Sequence, residues 1–462
     1  MERSGTGATL VADYEAGAGI VGDTDGGPDL GALTGTDQPW LAATLPVLDL
    51  AVGSVQALRR AAARAGAAGP LVDAPLDLGR LAASFSADQV FRLDGHEVPG
   101  FAPLSGFFRT RDGWVRTHAN YPHHAHRALA MLGLHRAGAA VGPERLAEAL
   151  AVMDAQNVED SAMAGGAVAV RVRTEEEWRA SPQGVAAASG PLVRLTTRED
   201  KGPSTPLAGG PQPLRGVRVL DLTRVIAGPV ATRTLALLGA QVLRVDPPVP
   251  AEIRSQHLDT GQGKRTALLD LHDDGDIARA QDLLDVADVL VTGYRPGAVE
   301  TYGLEVPAAA VHARVDAWGE DGPWAERRGF DSIVQAATGI SIVESLGGDA
   351  REAAGPGALP AQALDHASGY LLAAGVVDAL AARARDGQGR DVVVSLARTA
   401  AWLLDAPGRD PQHPRAATPP RSAVVSHGHN PEVTTARPAI PGFEDYPFPA
   451  RPWGTDHARW EV

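Results

Sequence analysis

Between residues 217 and 319 short β-rich runs alternate with helical ones, and that alternation constrains the fold more than any other feature. VRVLDL (217–222), QVLRVD (241–246), DVLVTGY (288–294) and ARVDAWG (313–319) read as strands. Pro229 stands where the first turn of a helix accepts a proline, and VATRTLALLGA continues that helix. A second helix is expected near 274–286. Strands separated by helices pair in parallel through right-handed crossovers, so this part of the chain is α/β with a parallel sheet.

The full chain of 462 residues has room for two to four domains. It holds no cysteine, which excludes a disulfide scaffold, a thiol nucleophile, a zinc–thiolate site and an iron–sulfur cluster. Its 42 Lys and Arg face 56 Asp and Glu, and a net charge of −14 argues against a nucleic-acid backbone as partner. The start, MERSGTGATLVADYEAG, lacks a basic segment followed by an apolar run. The most apolar stretch, Tyr370 to Ala382, is interrupted by Asp378 and is shorter than the ~20 residues a bilayer needs. A cytoplasmic protein without membrane contact is expected.

Composition divides the chain further. Residues 1–30 are Gly- and Asp-rich and are expected to be disordered. LPVLDLAVGSVQALRRAAARA (45–65) reads as an amphipathic helix with basic residues at its end. Residues 91–198 form a smaller α/β block that opens with a hairpin, FFRTRDGWVRTH, turning at Asp112-Gly113. Residues 199–213 read as a linker, 214–405 as the large domain and 406–462 as a Pro-rich tail. A weak repeat joins the two ends. LDLAVG (48–53) matches LDHASG (364–369), and LGRLAA (78–83) matches LARTAA (396–401). Residues 31–90 are therefore read as a partial copy of the large domain's end.

From Pro213 onward the sequence resembles the family III CoA-transferases, the group around carnitine and formyl-CoA transferases. The resemblance rests on PLRGVRVLDLTRVIAGPVATRTLALLGAQVLRVDPP, GKRTALLDL, ADVLVTGYRPGAVETYGL, RRGFDSIVQAATGI and the run 359–403, in that order. GFFRTRDGWVRTHANY and RTEEEW resemble the family's small domain, here placed ahead of the large one. The chain thus looks like a rearranged or partly duplicated member. The resemblance implies a Rossmann-like large domain plus a smaller α/β domain, a homodimer, and CoA or acyl-CoA as substrate with no permanently bound cofactor.

The resemblance also assigns residues. Asp365, just before a helical run, aligns with the family's nucleophile. A carboxylate there attacks a thioester to give an acyl-aspartyl anhydride, which a second carboxylate or a returning thiolate opens. Ser368 and Gly369 are expected to let a ligand approach the helix, with Gly106 as an oxyanion donor and Gly347-Gly348 and Gly355-Pro356-Gly357 as a flexible approach. Ile226 and Ala227 fall where the family contacts CoA, and Arg224 beside them is a basic residue expected near the cofactor. Leu269 to His272 fall at the adenine side, Gly293, Tyr294 and Arg295 at another loop, and Arg328 at a basic contact. Lys264 and Arg265 are further basic residues expected near the cofactor.

Two alternatives remain open at this point. One is an acyl-CoA racemase or isomerase, whose family motif Gly-His-Asp reads Gly329-Phe330-Asp331 here and so lacks one base. The other is a catalytically silent acyl-CoA-binding subunit. Asp49 is a second candidate nucleophile. The run His118, His123, His124 and His126 is read as capping and packing rather than a metal site, because Pro122 splits it.

Overall fold

The computed structural model describes residues 5–20, 32–134, 141–202, 206–294, 297, 300–345, 355–429 and 431–461. At the N-terminus α1 (Gly5–Gly17), β1 (Leu33–Thr34), α2 (Val47–Arg64), β2 (Leu76–Asp77) and α3 (Leu78–Phe85) form one unit. The expectation of disorder over 1–30 is corrected for 5–17. Leu10, Val11 and Tyr14 make an apolar stripe that is buried, and Tyr14 Oη donates to Asp378 Oδ2 at 2.6 Å. The rest of that stretch lies largely outside the described residues. β1 and β2 pair in parallel.

The expected hairpin forms from β3 (Gly106–Arg109) and β4 (Trp114–Thr117), and β5 (Ala169–Arg171) adds antiparallel to β4. Helices Pro122–Met131, Pro143–Ala151 and Ala155–Gly165 surround this sheet, with a separate core of Leu104, Phe108, Val115, Leu146, Leu150 and Val158. Thr174 begins the next helix with a capping box, its hydroxyl accepting from the N–H of Glu177. β6 (Arg194–Lys201) follows and corrects the expected boundary at 198/199. Its residues pair antiparallel with the last strand of the large sheet, so 194–198 belong to that sheet and 199–201 are strand, not linker. Leu195, Thr196 and Thr197 supply the β propensity that the charges at 198–201 mask.

The large sheet contains β7 (Arg218–Leu222), β8 (Gln241–Asp246), β9 (Lys264–Leu268), β10 (Val289–Thr292), β11 (Val311–Asp316), β12 (Gln388–Ser395) and β6. The strand order is β9-β8-β7-β10-β11-β12-β6, parallel throughout except for the last pair. Three helices border the carboxyl edge of this sheet and its core: α4 (Ala227–Leu237), α5 (Ala363–Asp386) and α6 (Leu396–Asp405). The order in which strands are added reverses between β7 and β10. In open α/β sheets that switch point, at the carboxyl ends of the strands, is where ligands bind.

The tail after 406 packs on its own chain. Val424–His427 and Val433–Ala436 form a small antiparallel sheet with Arg92–Leu93 and His96–Glu97. Farther on, the N–H of Asp456 donates to the carbonyl of Thr266 in β9, and the N–H of Thr266 donates to Asp456 Oδ2. Among the described residues no helix is long and apolar enough to cross a membrane.

Candidate active site

Two cavities of about 510 and 300 Å³ open at the carboxyl end of the parallel strands. Leu222, Val245, Asp246, Gly293 and Asp316 place the larger one along the ends of β7, β8, β10 and β11, astride the switch point. Val225, Phe330 and Asp365 line both cavities.

Asp365 is the third residue of α5, whose N-cap is Gln362, so it lies inside the first turn rather than at the cap. Its N–H donates to Asp331 Oδ2 at 2.9 Å. Asp331 is wholly buried, and its other oxygen accepts from Gln335 Nε2 at 2.5 Å. Gln335 in turn accepts from the N–H of Leu359. Asp331 is thereby fixed as an acceptor that holds the start of α5. Asp365 is 6% exposed. Burial, and then the charge of Asp331, push its carboxyl well above the usual carboxylate range. Burial also raises Asp331, to about 6, against the hydrogen bonds that favour its charged form.

Val225 joins β7 to α4 with φ of +72°. A β-branched residue rarely adopts that conformation, and strain of this kind collects at functional sites. It turns the chain so that Ala227 and Gly228, at the uncapped start of α4, line the larger cavity. Ile226 lines only the smaller one.

Arg224, Ala227, Leu269, His272, Gly293, Tyr294 and Arg328 all line the larger cavity with Asp365. Arg224 is anchored there, donating to the carbonyl of Pro250 at 2.7 Å. Below it a buried ion network holds the wall: Arg244 reaches both Asp246 and Glu252 at 2.8 Å, and Tyr121 donates to Glu252 at 2.7 Å. His272 is exposed at the rim and paired with Asp270 at 3.0 Å. Arg295, Gly347 and Gly348 lie outside the described residues.

Several expected residues sit elsewhere. Lys264 is 1% exposed and donates to Asp221, Thr232 and the carbonyl of Pro229, which leaves it no reach toward a ligand. Arg265 is held by the tail carbonyls of His457 and Arg459. Gly106 pairs within the β3–β4 hairpin and lines neither cavity. Ser368 shares a hydrogen bond with Thr399 of α6, and a Cβ on Gly369 would lie 2.6 Å from the Ala227 carbonyl. The space at Ser368 and Gly369 is therefore used for helix packing, not for a ligand.

The sequence reading missed three features. Val225 carries no local sign of its positive φ. Phe330, which lines both cavities, stacks on His118 of the smaller one with ring centroids 3.7 Å apart. Burial pushes His118 and His124 down to about 3, so both imidazoles are neutral. Among the described residues no group of three or more His, Asp or Glu is placed to hold a metal ion.

Residues 214–425 match CoA-transferase family III. The match covers a little under half of the chain. Among curated proteins the chain is similar to the acetyl-coenzyme A transferase of Hypoxylon pulicicidum, 33% identical over 212 residues, which are 44% of this chain and 35% of the relative. It is also similar to a probable fatty acyl-CoA transferase of Mycobacterium tuberculosis, 32% identical over 217 residues, 43% of this chain and 54% of the relative. A crystal structure of a hypothetical protein from Mycobacterium tuberculosis shares 33% identity, covering 42% of this chain and 58% of the other, with a TM-score of 0.38. The chain thus spans between about a third and a half of the length of these curated relatives. The matched segment contains α4, α5, the whole parallel part of the sheet and Asp365.

Proposed function

We propose that the protein moves CoA between an acyl-CoA and a free carboxylic acid, with Asp365 as nucleophile. The observation that carries this reading is that Asp365 lines both cavities. The larger would receive CoA and the smaller the acyl group, so the thioester carbon would meet the carboxylate where the two join. Arg224, Arg328 and the uncapped N–H groups at the start of α4 would favour the phosphates.

The Asp365 carboxylate adds to the thioester carbonyl, the C–S bond breaks, and an acyl-aspartyl anhydride and CoA thiolate result. The thiolate then attacks the aspartyl carbonyl, releasing the first acid and leaving an aspartyl-CoA thioester. An acceptor carboxylate attacks that thioester and regenerates the thiolate and an anhydride. Attack of the thiolate on the acceptor's acyl carbon gives the new acyl-CoA and restores Asp365. Asp331 acts as a positioning residue. Its charge raises the Asp365 carboxyl, which makes the carboxylate a stronger nucleophile once ionised.

Hydroxylamine added during turnover tests this reading. A hydroxamate at residue 365, found by mass spectrometry and formed only with acyl-CoA present, is the expected result. An unmodified Asp365 peptide across a broad acyl-CoA panel would refute it. We also propose that the molecule works in the cytoplasm as a homodimer, and native mass measurement checks the second point.

His118 supports a second reading as an isomerase. It is a neutral imidazole in the same cavity as Asp365, and its Nδ1 has no hydrogen-bond partner among the described residues. Exchange of the α-hydrogen of an acyl-CoA for deuterium, without CoA transfer, would favour that reading.

A further inference from the structure

We propose, building on the reading that the acyl group sits at Asp365, that the smaller cavity selects carboxylic acids bearing a protonated amine at their far end. Its lining includes four carboxyl groups, Asp88, Asp259, Asp331 and Asp365, and no lysine or arginine. Two of these are committed or reacting: Asp331 holds the start of α5, and Asp365 is the proposed nucleophile. Asp88 and Asp259 have no such task.

Asp259 is 8% exposed, and its Oδ1 has no hydrogen-bond partner among the described residues. Asp88 Oδ1 and Gln256 Oε1 are likewise buried without partners. All three atoms are acceptors, and all three residues line the same cavity. Buried acceptors without donors are costly, so an occupant that donates is favoured over one that does not. An ammonium supplies three N–H donors and a positive charge, whereas a second carboxylate supplies neither and would face the acidic wall.

The neighbouring cation gives these carboxylates no hydrogen bond. Arg233 packs behind Asp259 but donates to its backbone carbonyl at 2.8 Å, not to its carboxylate. Asn120, also in the lining, is spent on the loop: its oxygen accepts from the Ala102 N–H and Ser105, and its amide donates to the Gly100 carbonyl. Burial raises the Asp259 carboxyl to about 6, with the charge of Arg233 opposing the rise and that of Asp88 adding to it.

The test is calorimetry on the full chain in the presence of CoA, with 4-aminobutyrate, 4-hydroxybutyrate, butyrate and glutarate as probes. The amine is expected to bind at least ~10-fold more tightly than any of the other three, the scale of a charge-assisted hydrogen bond. Asp259→Asn is expected to remove most of that preference without weakening glutarate. Asp88→Asn, nearer the surface, gives the same comparison should Asp259→Asn not fold. Equal binding of the amine and butyrate, tighter binding of glutarate, or an unchanged preference in both variants overturns the proposal. CoA transfer, measured separately, distinguishes the two readings. A preferred amine without transfer refutes the transferase and not the selectivity; transfer to glutarate without amine preference refutes the selectivity alone.

Discussion

Asp49 and Asp365 occupy equivalent places in two helices that pack against each other, yet of the two only Asp365 lines the two cavities described above. Each is the third residue of its helix, α2 from Val47 and α5 from Ala363. Each helix carries a glycine four residues later that lets a neighbour close in. A Cβ on Gly53 would lie 2.8 Å from Leu10 Cβ of α1, and one on Gly369 would lie 2.6 Å from the Ala227 carbonyl of α4. The following short helices match as well. α3 and α6 both begin with Leu, capped by Asp77 and Ser395, whose side chains accept from the N–H groups of Arg80 and Arg398. The frame is the same, and the surroundings differ. α5 opens onto the strained Val225 joint and the Phe330–Asp331 wall, while Asp49 lines neither cavity. A carboxylate in a helix's first turn is thus common scaffolding, and the loops at the switch point of the sheet give it a place to act.

The comparison breaks most sharply on the two carboxylates. Asp365→Asn is expected to lower CoA transfer by at least ~1,000-fold, the scale of losing a nucleophile, while Asp49→Asn keeps it within about 2-fold. Steady-state rates with one acyl-CoA and one acceptor decide this, and equal losses would erase the distinction. Next comes the contact between the helices. Arg64 of α2 reaches both oxygens of Asp378 in α5 at 2.8 Å, and Asp378 is 8% exposed. Arg64→Ala is expected to cost about 3 kcal/mol in urea unfolding, because it leaves a buried carboxylate with the Tyr14 hydroxyl but without its counter-charge.

The glycine pair sharpens the likeness instead. Gly53→Ala and Gly369→Ala are each expected to destabilise by about 2 kcal/mol, since both crowd a helix–helix approach. Only Gly369→Ala is expected to alter turnover as well, through α4. The smallest effect concerns pH. Asp331→Asn removes the charge that helps raise Asp365, so the acid limb of the rate profile is expected to move to lower pH. The raised carboxyl also has a stability consequence. A carboxyl whose folded pKa exceeds its unfolded value makes the fold less stable as pH rises from the unfolded value through the folded one. Asp365→Asn is therefore expected to raise the melting temperature more at pH 8 than at pH 4.

The parallel sheet was legible because its strands are continuous apolar runs such as VRVLDL, separated by helical spacing. β6 was not, since Glu199, Asp200 and Lys201 look like a charged loop while their backbone completes a sheet edge. The resemblance pointed to Asp365, and seven of the proposed CoA contacts line the same cavity, because they stand in segments that follow β7, β9, β10 and β11. Lys264 and Arg265 were misread for a simple reason. A charge run gives no sign of which face of the strand it serves, and here Asp221 and the tail claim the two cations. The smaller cavity was invisible, because Asp88, His118, Asp259 and Asp365 come from four distant segments.

The tail that crosses β9 has a consequence for handling the protein. An outer strand whose N–H and C=O groups point outward is a template for pairing with another copy. Here Asp456 occupies both groups of Thr266, and Gly454 donates to that residue's hydroxyl. Cutting the chain before Trp453 would uncover this edge and also remove the hydrogen bond from Trp453 Nε1 to Asp246 Oδ2 in the wall of the larger cavity. The expected failure is self-association through added β-pairing, seen as turbidity at concentrations where the intact chain stays clear.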